Sequence, residues 1–152
     1  MKAFFFSLLL TGAAALANAQ SANVKTAMDG YARFGQGDIP GILATLGDNI
    51  VWVHAGNPAI VSFAGAFNGP AGVGQFFEKV GATIQVTVFN PTNFSENGNT
   101  VHNDVHIEGT VLATGKTFAS DMAMTWTFDP AGKVTRWEAA GDMSTLEAAC
   151  AK

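Results

Sequence analysis

The sequence predicts an α+β domain, with helices packed on one face of a curved antiparallel or mixed sheet that encloses a conical cavity. Three observations support this. Helix-period segments occupy the first third of the mature chain, four long period-two segments run from Thr83 to Met143, and Pro91 interrupts the first of those, where a flat ladder would not tolerate it.

The first 19 residues read as a leader. Met1-Lys2 is a short positive start, Ala3 to Ala17 is apolar, and Ala17-Asn18-Ala19 places small residues where a signal peptidase reads. Cleavage after Ala19 leaves residues 20–152 as one domain, periplasmic or secreted. An apolar run of about 15 residues is short for a bilayer span of about 20, so no membrane anchor is expected after cleavage. The single cysteine, Cys150, cannot staple its own chain, so stability must come from the core.

The elements then follow in order. Ser21 to Phe34 is predicted as a helix with Val24, Ala27, Met28, Tyr31 and Phe34 on one stripe, stopped by Gly35 to Gly37. A short helix starts at Asp38, with Pro40 in its first turn and Ile42, Leu43 and Leu46 buried. Asp48-Asn49 turns the chain into the strand IVWVHAG, Ile50 to Gly56, in which Ile50, Trp52 and His54 share a face. Ala59 to Phe67 is expected to return as a second strand. Gly69-Pro70 opens a third helix with Val73, Phe76, Phe77 and Val80 inward.

From Thr83 the apolar residues alternate. Turns at Asn97-Gly98, Thr114-Gly115 and Asp129-Pro130-Ala131-Gly132 separate strands ending near Asn97, Val111, Phe128 and Met143. Leu146 to Ala151 is a brief helical tail.

Composition excludes several functions. Without Lys2 the chain carries seven Lys and Arg against twelve Asp and Glu, a formal charge of −5, which argues against a nucleic-acid partner. No phosphate loop, dinucleotide fingerprint, nucleophile elbow or zinc-finger spacing occurs, and no cofactor is expected. The row His102, Asp104, His106 and Glu108 has metal-ligand chemistry. However, residues four apart on a strand are about 13 Å apart, so we expect it to be solvated or at a dimer seam, with no metal.

Tyr31 with Gly37-Asp38 in YARFGQGDI, then LGDNIVW, a Gly65 to Gly69 segment entering the third helix, and a closing FDPAGKVTRWEAAGD together resemble the nuclear transport factor 2-like superfamily. That superfamily is cone-shaped and cystatin-like, and includes steroid isomerases and SnoaL-type polyketide cyclases. The likeness covers essentially all of the mature chain. It implies three helices on a strongly curved sheet and a pocket for a hydrophobic small molecule. It also implies cofactor-free acid/base chemistry on a carbonyl compound, with His54 at the isomerase base position and Asp142 at the cyclase acid/base position. Trp52, Tyr31, Phe63, Trp126 and Glu138 are the implied substrate-binding residues. The isomerase oxyanion donors fall on Gly30 and Met124, which cannot supply them, so binding without catalysis stays open. A homodimer, with the His102 to Glu108 face at an interface, is the expected assembly.

Overall fold

The computed structural model describes residues 21–152, so the expected leader lies outside the described residues. Helix α1 spans Ala22–Gln36 and α2 spans Ile39–Leu43. Strand β1 spans Leu46–His54, β2 Gly65–Asn68, and helix α3 Gly69–Thr83. Four long strands follow, β3 Ile84–Asn97, β4 Thr100–Val111, β5 Thr117–Phe128 and β6 Val134–Gly141, before helix α4 at Ser144–Cys150.

The helix ends follow local chemistry. Ser21 Oγ accepts from Val24 N at 3.1 Å and caps α1, while Gly37, at φ 72°, closes it through its own N–H to Arg33 and Phe34 carbonyls. Asp38 accepts from Gly41 N at 2.9 Å to start α2 and takes Arg33 Nη1 at 2.7 Å. Pro70 sits in the first turn of α3, whose buried residues are Val73 and Phe76. Among the described residues, no helix is long and apolar enough to cross a membrane.

The six strands form one mixed sheet in the order β2-β1-β6-β5-β4-β3. Neighbours run antiparallel except β1 and β6, which pair in parallel with Trp52 opposite Trp137. On the inner face, Ile50, Trp52 and His54 from β1 join Met122, Met124, Trp126 and Phe128 from β5, all buried. Val101, Val105, Ile107 and Val111 extend that face along β4.

The structure departs from expectation in four places. The short helix ends at Leu43, and Leu46, expected on it, already belongs to β1 together with the expected turn residues Asp48 and Asn49. Residues 59–64 form turns, and the second strand is only Gly65–Asn68; Gly56 at φ 116° and Gly65 at φ 99° bend the chain out of an extended run. The bend near Pro91 falls two residues later, where Asn93 takes φ 56° and the β3–β4 register shifts between Thr92 and Ser95. In β6, Val134 pairs with Phe128 and Arg136 with Thr127, so Thr135 is an extra residue that reverses the alternation. Trp137 and Ala139 therefore point to the core, and Arg136 and Glu138 do not.

Candidate ligand-binding site

Beneath α1 and α3, the concave face of the sheet leaves a cavity of about 70 Å³. Tyr31 and Phe34 enter it from α1, Phe76, Phe77 and Val80 from α3, and Phe63 from the turn segment. Trp52 and His54 come from β1, Val86 and Phe89 from β3, Ile107 from β4, Met122, Met124 and Trp126 from β5, and Trp137 from β6. Among the described residues, no Asp, Glu, Lys or Arg side chain lines it. A pocket of this kind selects uncharged, hydrophobic ligands, because an ionised group entering it would lose its water without a counter-charge.

Three tryptophans dominate the wall. Trp52 stacks on Trp137 at 4.1 Å and 16°, an outcome of their opposition on parallel strands, and Trp126 meets both edge-on at 6.2 and 6.3 Å. Trp126 Nε1 donates to Tyr31 Oη at 3.0 Å, and Tyr31 Oη donates to the buried Asn103 Oδ1 at 2.9 Å. Burial pushes the Tyr31 phenol up to about 12 against the opposing effect of these bonds, so it is neutral at physiological pH. The Trp137 indole opposes the rise most weakly, and its N–H does not reach hydrogen-bond geometry with the phenol. The indole nitrogens of Trp52 and Trp137 are buried and have no partner.

His54 is 7% exposed, with its ring between Phe63 at 5.1 Å and Phe76 at 5.8 Å. Its Nδ1 lies 2.7 Å from Ala55 O. A carbonyl can only accept, so this contact assigns the ring hydrogen to Nδ1 and leaves the Nε2 lone pair uncommitted in the neutral imidazole. Burial holds its pKa below the usual histidine value, partly offset by the Ala55 bond. His54 also borders a smaller cavity of about 20 Å³ shared with Ser120, Met143 and Leu146.

Of the residues singled out in the sequence, Trp52, Tyr31, Phe63, Trp126 and His54 converge on the cavity. Two do not. Asp142 lies on the surface, where its carboxylate accepts from Ser144 N at 2.8 Å, a bond that lowers its pKa and satisfies a free N–H at the start of α4. The chain leaves the sheet at Gly141, and His54 and Asp142 bond to Ala55 O and Ser144 N and not to each other. Glu138 pairs with Arg136 at 3.0 Å on the outer face because of the Thr135 bulge. That bulge also hid Trp137, whose only sequence signal is a large aromatic in the closing strand.

The polar row on β4 is likewise on the outer face. His106 bridges Glu108 at 2.9 Å and Asp121 at 2.6 Å, and both bonds raise its pKa. His102 contacts Thr125 and Thr100. Among the described residues, no group of three or more His, Cys, Asp or Glu is arranged to hold a metal.

A cone of this topology over an apolar cavity is the fold of solved nuclear transport factor 2-like proteins. Within it, the chain belongs to the SnoaL-like domain family, whose family model matches residues 28–137. A nuclear transport factor 2-like protein of unknown function from Burkholderia pseudomallei superposes with TM-score 0.79 at 22% identity, covering 88% of this chain and 100% of that one. TerC, co-crystallised with polyporic acid, gives 0.76 at 29% identity over 86% and 98%. A Mycobacterium tuberculosis protein in complex with estradiol-17β-hemisuccinate gives 0.69 at 18% identity over 83% and 98%. No match was found among curated proteins.

Proposed function

We propose that the protein binds a hydrophobic carbonyl compound in the aromatic cavity and that His54 shuttles a proton at the carbon next to the carbonyl. The observation that carries the reading is the His54 geometry. A buried imidazole whose Nδ1–H is spent on Ala55 O keeps Nε2 as an acceptor, and its lowered pKa keeps it unprotonated near neutrality. The ligands of TerC and of the mycobacterial relative support a small-molecule role for the cavity. In the reaction, the α-proton moves to Nε2 and the C–H electron pair passes into the carbonyl as an enolate; return of the proton to a different carbon completes an isomerisation, whereas in a cyclisation the enolate carbon bonds to a second carbonyl carbon of the ligand, whose oxygen takes the proton from Nε2.

The test is deuterium uptake at the methyl group of acetophenone in D₂O, followed by proton NMR. The native protein is expected to accelerate exchange, and His54→Leu to lower the rate by about 10² or more. Equal rates for the two proteins would overturn the assignment. A second reading, ligand binding without chemistry, is favoured by the lack of any carboxylate in the cavity wall. It predicts binding with no exchange.

We also propose export through residues 1–19. Mass spectrometry of protein recovered outside the cytoplasm should find Gln20 as the first residue, and an intact Met1 would refute this.

A further inference from the structure

Two tryptophans of the cavity wall carry indole donors that the protein itself leaves unused. Trp52 and Trp137 are 3% and 4% exposed, both line the cavity, and neither indole N–H has an acceptor. Native proteins rarely bury a donor without a partner, and each such group calls for an explanation. The third tryptophan shows the contrast, since Trp126 Nε1 is satisfied by Tyr31 Oη at 3.0 Å. The donors that remain belong to one stacked pair with ring centres 4.1 Å apart.

We infer that the Trp52–Trp137 pair is the carbonyl-oxygen subsite of the cavity, with the two indole N–H groups donating to one ligand oxygen. A carbonyl oxygen has two lone pairs and can accept both bonds. The inference rests on the proposed binding of a carbonyl compound and gives its oxygen a location. No Lys, Arg or metal is needed, which suits a neutral ketone or aldehyde and disfavours a carboxylate or phosphate, whose full charge two indoles would not balance. When the α-proton leaves for His54, negative charge grows on this oxygen. Two N–H groups bonded to it then bind the enolate more strongly than the ketone, which is the condition for lowering the barrier.

The experiment uses two probes of nearly the same shape, acetophenone and α-methylstyrene, which differ by C=O against C=CH₂. Affinities come from titration calorimetry. The three tryptophan indole N–H signals are followed in ¹⁵N-labelled protein and assigned with Trp52→Phe and Trp137→Phe. Water solvates the ketone better than the alkene, so transfer alone favours α-methylstyrene. Acetophenone is nevertheless expected to bind at least about tenfold tighter, about 1.4 kcal/mol. The Trp52 and Trp137 signals should move downfield with acetophenone only, while Trp126 stays. Each Phe variant should lose more affinity for acetophenone than for α-methylstyrene, and with it the selectivity.

Equal affinities, or either indole signal unmoved by acetophenone, would overturn the subsite while leaving the cavity as a ligand site. Failure of both probes to bind would overturn the cavity reading and the subsite together. If a Phe variant does not fold, the native protein still decides without assignment: two of its three indole signals must move with acetophenone and one must stay, and any other pattern overturns the subsite.

Discussion

Replacing Tyr31 with Phe removes one oxygen and nothing else, at the point where helix α1 is tied to the sheet. The ring contacts with Phe89, Phe94 and Trp126, at 5.5, 6.0 and 5.3 Å, survive the change. Two buried groups do not keep their partners. Trp126 Nε1–H loses its acceptor, and Asn103 Oδ1 loses its donor. Trp126 and Asn103 are 2% and 3% exposed, so water does not replace the phenol. Each stranded group costs about 1–3 kcal/mol, which puts Tyr31→Phe at about 3 kcal/mol of destabilisation. For a domain of this size that is a fall in Tm of about 12 °C. Urea unfolding followed by far-ultraviolet circular dichroism should show a lower midpoint with an unchanged slope. The Tyr31→Phe/Asn103→Leu double variant should cost about 1 kcal/mol less than the two single changes summed, because the second substitution removes a group already stranded. A loss below about 0.5 kcal/mol for Tyr31→Phe would refute the claim that this hydroxyl completes a buried network.

Further consequences can be checked in the same way. Because the folded pKa of His54 is depressed, the unfolded chain takes up the proton first as pH falls. Its contribution to stability is therefore complete above about 6.5 and shrinks below it, by at most about 1.36 kcal/mol per pH unit. The stability difference between native protein and His54→Leu, measured from pH 8 to 5, should narrow on the acid side; a flat difference would contradict the burial argument. Gly109→Ala places a methyl carbon 2.5 Å from Gln85 O and 2.9 Å from the Phe118 ring, and we expect a loss of about 2 kcal/mol or more in urea unfolding. Asp142→Ala is expected to leave acetophenone affinity and exchange rate unchanged, since its carboxylate serves Ser144 N at the surface. A large drop in either would place Asp142 at the site.

Much of the fold could be read because strong local rules agreed. Ser21 and Asp38 are good caps, Pro70 stands where a helix opens, and Ile50, Trp52 and His54 alternate cleanly, so their shared face is a direct consequence of strand geometry. The cavity wall was legible to the same extent, with Trp52, Tyr31, Phe63, Trp126 and His54 all reaching it. Where the reading diverged, tertiary pairing had changed the phase. One extra residue at Thr135 exchanged Glu138 for Trp137 as a wall residue, and no local pattern marks such a bulge. Asp142 sits one residue past the strand end, where the demand of α4 for an acceptor outweighs any continuation of the sheet face. The short second strand reflects glycines whose positive φ angles follow from the path of the chain rather than from its hydrophobicity.

The parallel pairing of β1 with β6 also governs how the molecule forms. It joins the first strand to the last, with Leu46 opposite Val134 and His54 opposite Ala139. Contacts so distant along the chain close late, because the entropy of a long loop must be lost before the pairing is rewarded. The cavity floor therefore does not exist in a chain ending at β5. Trp52 and Trp137 sit one on each side of this seam, and their stacked indoles come into contact only as it closes. Tryptophan emission in a stopped-flow refolding trace should consequently report the closing of this seam, as a change that follows the appearance of helical signal.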